Sequence, residues 1–91
     1  MKYMFCYNKV IDYKRWRTIF DSHKEAHVNA GLKLINIFRS IESENEIYFI
    51  FEISEIIKAK EYVTNHESEV IGKAAGVLEG TIQYLDEIEG N

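Results

Sequence analysis

Proline is missing altogether from these 91 residues, and no glycine-rich, serine-rich or low-complexity stretch occurs. A chain jointed by linkers is thereby excluded, and residues 1–91 are expected to form one domain. The single cysteine, Cys6, cannot close an internal disulfide, which fits a reducing cytoplasm. No apolar run approaches the ~20 residues that span a bilayer, so no membrane partner is expected. The first residues already alternate like a strand, leaving no room for a signal peptide. Basic residues are neither in excess nor clustered: 11 lysines and arginines stand against 15 acids, a net charge of −4 spread along the chain. Nucleic acid is therefore not an expected partner.

What remains is apolar and aromatic. Hydrophobic residues make up 46% of the chain and aromatics 13%, enough for a packed core rather than disorder. A chain this short buries only about 60–65% of its unfolded surface, so a monomer would be modestly stable.

Period changes give the order of elements. Met1–Val10 alternates as a strand, with Tyr3, Phe5 and Tyr7 opposite Met4 and Cys6. Asp12 is placed to cap a helix in which Tyr13, Trp16, Ile19, Phe20, His23, His27 and Ala30 recur at helical spacing. Gly31 supplies the left-handed residue that ends it. Leu32–Ile41 is a second strand, with Leu34, Asn36 and Phe38 opposite Ile35, Ile37 and Arg39. The polar Glu42–Asn45 segment turns into a third strand, Glu46–Ile53, with Ile47, Phe49, Phe51 and Ile53 opposite Tyr48 and Ile50. Ser54 is expected to cap a second helix, with Thr64–Asn65–His66 marking a kink or a restart and Gly76 and Gly80 bracketing its end. Thr81–Ile88 is the last strand.

The order β-α-β-β-α-β is the ferredoxin-like α+β plan, a four-stranded antiparallel sheet with two helices on one face. The strands are apolar on both faces, and two helices cover one. The other face is expected to meet a second copy of the same sheet in a two-fold homodimer. Phe5 and Tyr48 are taken to lie on different faces, so a charge at only one of them should break that dimer.

On the whole chain the element order and length resemble the dimeric α+β barrel proteins, most closely the antibiotic-biosynthesis-monooxygenase-like group. The residues that carry the resemblance are Trp16, Phe20-Asp21-Ser22-His23, Ala30-Gly31-Leu32 and Phe38-Arg39. Asn65-His66-Glu67-Ser68 and Ala74-Ala75-Gly76-Val77 follow them. The superfamily includes oxygenases that need no cofactor, isomerases and haem-degrading enzymes, and fold alone does not choose among them. The haem-degrading branch uses an asparagine on the first strand with a tryptophan and a histidine on the second helix. Asn8 matches the first, but the only tryptophan is Trp16 on the first helix. No cofactor is therefore expected.

His23 and His27 are the sharpest local signal, because i, i+4 spacing stacks two imidazoles on one helix face. The pair could share a divalent ion if His66 or Glu52 supplied a third ligand, but no metal site is assigned on two histidines. His23 either packs with its ring bonded under the helix or serves as general acid or base in a pocket between the first helix and the sheet. Tyr13, Trp16 and Phe20 form an aromatic row that is core, the wall for a flat aromatic ligand, or both. Arg39 could hold an anionic group, although strand alternation threatens to put it across the sheet from His23. The candidate site is thus His23 as catalytic residue, with Tyr13, Trp16, Phe20, His27 and Arg39 binding a small aromatic molecule. A cytoplasmic enzyme of the monooxygenase-like group and a non-catalytic ligand-binding or regulatory dimer both remain open. An enzyme needs an open pocket of roughly 300 Å3 or more, whereas a collapsed interior with His23 bonded to backbone would argue against one.

Overall fold

Alternation in the first strand sorts its side chains so cleanly that the strand can be paired on both edges. In the computed structural model, which covers residues 1–91, β1 (Lys2–Val10) lies between β3 (Glu46–Ile53) and β4 (Val77–Asp86). β2 (Leu32–Arg39) flanks β3 at the other edge, and every neighbouring pair is antiparallel. The order β2-β3-β1-β4 is the ferredoxin-like sheet that the element order implies.

Register fixes the two faces. Met4 stands opposite Phe51, Cys6 opposite Phe49 and Asn8 opposite Ile47. Met4, Cys6, Ile47, Phe49 and Phe51 are buried there, in one cluster with Trp16, Phe20, Ala59 and Ala75 from the helices. The other face carries Phe5 opposite Ile50 and Tyr7 opposite Tyr48. No helix covers it, and none of these four belongs to the core cluster. Phe5 and Tyr48 thus lie on the same open face, with ring centroids 6.3 Å apart, and not on opposite faces as expected. Antiparallel pairing is the reason: it places same-face residues of adjacent strands side by side.

Both expected helices are broken in two. The first consists of α1 (Tyr13–Ser22) and α2 (Lys24–Asn29), the second of α3 (Ile56–Thr64) and α4 (His66–Ala74). The chain order is therefore β-α-α-β-β-α-α-β. Asp12 caps α1 as its position suggests, accepting a hydrogen bond from the Arg15 N–H at 2.9 Å. The first break falls at His23, whose N–H bonds back to the Phe20 carbonyl in a tight turn. There Ser22 and His23 both direct side chains to the Ile19 carbonyl, drawing it away from the helical ladder. The second break is the expected kink: Asn65 is extended and caps α4 through its side chain, which accepts from the Glu67 N–H at 2.7 Å. Ser54 does not cap α3. Glu55 occupies that position without a side-chain bond, and the Ser54 hydroxyl donates to the Gly31 carbonyl instead.

Gly31 and Gly76 both take positive φ (76° and 77°) and turn the chain from helix into strand. Gly80 ends no helix, because β4 begins at Val77, four residues before the expected Thr81. Gly80 sits opposite Asn8, and a Cβ there would lie 3.1 Å from the Asn8 amide oxygen. Arg15 of α1 donates through Nε to the Ala74 carbonyl at 2.8 Å and also reaches the Lys73 carbonyl. A cation thus satisfies orphan acceptors at the end of α4 and joins the two helical layers.

β2 departs from simple alternation. Leu34 pairs with Phe51, but the next paired residue is Asn36, opposite Ile50. The irregularity, a bulge around Ile35, returns Ile37 and Arg39 to the face of Leu34 while Asn36 and Phe38 join the open face. Arg39 therefore shares the helix side of the sheet with His23, and the expected separation across the sheet does not occur.

Trp16 is 2% exposed and stacks on Phe20 with centroids 4.7 Å apart and tilts against Phe49 at 5.5 Å. Trp16→Ala is expected to destabilise the fold by about 3–5 kcal/mol, read from urea denaturation. A loss under about 1 kcal/mol would remove Trp16 from the core.

Candidate functional site

Trp16 and Phe20 pack on Phe49 of β3, and a gap is left towards β4, where every residue after Val77 is exposed and Lys60 of α3 reaches over the Tyr84 ring. The gap is a cavity of about 530 Å3 whose walls come from both helix pairs and from β1, β3 and β4. Trp16, Phe20, Phe49 and Phe51 supply aromatic surface, and Met4 and Cys6 supply the sheet floor. The interior is not collapsed, and its size exceeds the threshold set by the sequence argument.

His23, His27, Trp16 and Phe20 all line this cavity. Tyr13 and Arg39 line neither it nor the neighbouring cavity. They meet each other instead, with the Arg39 guanidinium 4.8 Å from the centroid of the Tyr13 ring, a cation–π contact on the helix side of the sheet. Four of the six sequence-predicted site residues thus come together and two form a separate pair.

His23 holds its ring through Nδ1, 2.8 Å from the Ile19 carbonyl oxygen. A carbonyl only accepts, so Nδ1 carries the proton and donates. Nε2 is engaged by no protein group, and in the neutral ring it is an acceptor. Of the two conditions set against an enzyme, the bond of His23 to backbone is present and the collapsed interior is not.

The His27 ring makes no hydrogen bond, and only its backbone does, to His23 and Ala30. Its ring lies among Phe20, Phe51 and Tyr62, with centroids 5.0, 5.1 and 5.8 Å away, the last two edge-on. Burial in this aromatic setting, with a smaller push from the neighbouring His23, lowers its pKa from 6.5 to about 4. His27 is thus a neutral, apolar wall at pH 7. The third ligand that a shared ion would need does not join the pair: no group of three or more His, Cys, Asp or Glu side chains able to hold a metal ion is assembled. His66 is out on the surface, 4.0 Å from Glu69.

Other polar groups on the walls were not singled out as site residues. Asn8 lines the cavity from β1, Ser68 and Glu69 from α4, Tyr62 from α3 and Thr81 from β4. Asn8 could have been found, since it continues the face of Met4 and Cys6. Ser68 could not: it donates to the Tyr62 carbonyl across the helix break, a contact made by folding. The Cys6 thiol is held neutral, burial pushing its pKa up to about 12. On the open face, Tyr7 donates to Glu46 at 2.6 Å and Tyr3 to Glu87 at 2.9 Å. The Tyr7–Glu46 bond, with burial and the carboxylate charge, raises the Tyr7 phenol to about 12. No helix is long and apolar enough to cross a membrane.

The ferredoxin-like fold, a four-stranded antiparallel sheet with helices on one face, is shared with solved structures. A Bordetella bronchiseptica protein provisionally described as an antibiotic biosynthesis monooxygenase superposes with a TM-score of 0.76 at 9% identity, over 97% of each chain. One from Caulobacter crescentus, provisionally described in the same way, gives 0.71 at 19% identity, over 97% of this chain and 90% of its own. A conserved protein from Methanosarcina mazei gives 0.70 at 11% identity, over 92% and 89%. At these identities the likeness is one of fold. No family model matches the chain, and no curated protein matches it.

The lowered pKa of His27 has a consequence for stability. The unfolded chain takes up a proton near pH 6.5, whereas the fold resists it until about pH 4. His27 therefore costs the fold stability as pH falls through that window. Urea midpoints at pH 7 and pH 5 should show a decline in the wild type that is smaller in His27→Leu. Equal declines would show that His27 is solvated.

Proposed function

We propose that this protein is a small, single-domain homodimer of the monooxygenase-like group that binds a flat aromatic molecule in the cavity between its helices and sheet. The observation that carries this reading is the cavity of about 530 Å3 with walls of Trp16, Phe20, Phe49 and Phe51. Ligand pockets combine apolar walls with a few polar groups, and Asn8, His23 and Ser68 are such groups here. A reducing cytoplasm suits the one buried thiol.

The uncovered sheet face supports dimerisation. Phe38 and Leu85 are 54% and 43% exposed there, beside Phe5, Tyr7, Tyr48 and Ile50. A continuous apolar surface of this kind favours a self-complementary two-fold contact. Since Phe5 and Tyr48 share the face, Phe5→Lys and Tyr48→Lys should each convert dimer to monomer in sedimentation, while Ile57→Lys on exposed α3 should not. Monomeric wild type would overturn the interface.

Binding is tested with naphthalene, followed by quenching of Trp16, the only tryptophan. A Cβ on Gly72 would meet open space, and Gly72 lines the cavity from within α4. Gly72→Leu should therefore lower naphthalene affinity at least tenfold without lowering the melting temperature, since leucine also favours the helix by several tenths of a kcal/mol or more. Unquenched wild type would overturn the reading.

A second reading, that the site is catalytic, is favoured by the free Nε2 of His23. A base at that position accepts the proton of a bound phenol. Bound 2-naphthol should then emit as naphtholate in the wild type and as the neutral phenol in His23→Gln. Neutral emission from both would leave a binding module without catalysis.

A further inference from the structure

Leu34 of β2 and Val28 of α2 are aliphatic side chains that nothing in the protein covers. Leu34 is 37% exposed and Val28 71% exposed. Leu34 stands opposite Phe51 in the register of β2 and β3, so it faces the helices rather than the open face. Both residues line a second cavity, of about 530 Å3, at the place where β2 begins and β3 ends. Phe20, His27, Leu32 and Phe51 line this cavity and the first one alike, so a single, mostly aromatic wall stands between the two.

The polar residues of the second cavity leave its character apolar. Lys33 and Glu52 are paired with each other across β2 and β3, in line with Tyr3, and their side chains belong to the open face. The Ser54 hydroxyl is spent on the Gly31 carbonyl. Lys24 is the one charged residue on the helix side, and it is exposed, so its ammonium stays in water while its stem adds apolar surface. In the dividing wall His27 is the least anchored member. Its ring is held by ring contacts alone, on a six-residue helix that buries no side chain. Turning that ring aside breaks aromatic contacts and no hydrogen bond.

We infer that the second cavity is an aliphatic subsite of the first, and that the ligand is an aromatic molecule carrying an alkyl chain, its rings against Trp16 and Phe20 and its chain past His27 between Val28 and Leu34. This deepens the proposed function and rests on it: the pocket reading gives the rings of the ligand, and the second cavity gives its chain. Continuity and chemistry fix the occupant. The subsite shares its wall with the ring site, and its polar side chains are spent, solvated or on the other face. An alkyl chain that covers Val28 and Leu34 leaves water together with them, and binding gains in proportion to the apolar area removed.

The test compares naphthalene with 1-butylnaphthalene on the intact protein, with Trp16 fluorescence as readout. Burying the added alkyl chain should tighten binding about tenfold or more. Val28→Asp combined with Leu34→Asp puts charge into the subsite and should abolish most of that advantage while leaving naphthalene affinity unchanged. Retained naphthalene binding also shows that the double variant is folded. A second readout needs no variant: in the wild type, nuclear Overhauser contacts should join the end of the butyl chain to the methyl groups of Val28 and Leu34. If naphthalene binds but the butyl compound binds no tighter, the subsite is wrong and the pocket stands. If the butyl compound keeps its advantage in the double variant, or its chain end contacts other methyl groups instead, the chain lies elsewhere and the inference fails. If naphthalene does not bind, the pocket reading fails and this inference with it.

Discussion

One aromatic contact determines where everything else in this molecule can be. Trp16 and Phe20 of α1 lie on Phe49 of β3, and Phe20 also meets Phe51. These rings sit over the β3 side of the sheet rather than its centre. Because an interior packs at near-crystalline density, bulk placed over one half cannot also fill the other. The β4 edge is left uncovered, and the cavity is the unfilled remainder. Trp16 and Phe20 are thus core by burial and cavity wall by position, and the two roles have the same cause.

The helix breaks belong to the same geometry. A straight first helix would continue past Ser22 on its original axis. Competition of Ser22 and His23 for the Ile19 carbonyl ends α1 there, and α2 takes a separate course towards the start of β2. Asn65 does the same between α3 and α4, and Ser68 ties the new helix back to Tyr62. The residues at the breaks, His23 on one side and Tyr62 and Ser68 on the other, are the ones that line the cavity. Backbone carbonyls diverted from the helical ladder are satisfied by side chains there, so part of the polar character of the site derives from how the helices end, while Asn8 and Thr81 come from the strands.

Period-two and period-3.6 patterns made the sheet order, the covered face and the open face legible, because burial acts on every second strand residue and on one helical stripe. His23, His27, Trp16 and Phe20 could be assembled for the same reason. The break at His23 left no such mark: the apolar stripe runs through it undisturbed from Tyr13 to Ala30, and only side-chain bonds to a carbonyl cause it. Nor could alternation reveal the bulge near Ile35, which returns Arg39 to the helix side and against Tyr13. A one-residue irregularity inverts facing without changing composition. Gly80 illustrates a further limit. As a glycine just past a helix it resembled a terminator, but its place opposite Asn8 depends on a long-range strand register.

The alternation that made the sheet legible also divides its labour. In β1, Met4 and Cys6 floor the cavity while Tyr3, Phe5 and Tyr7 face the other way, within one stretch of five residues. The two faces are joined by backbone and share no side chain. A partner bound on the open face therefore touches no atom of a ligand in the cavity, and any influence between them has to travel through strand register or position. Register is pinned on both edges of β1 by its ladders with β3 and β4, and slipping it by one residue would turn every apolar side chain to the wrong face. Such a sheet transmits little. The cavity floor and the open face are therefore set separately, by alternate residues of the same strands.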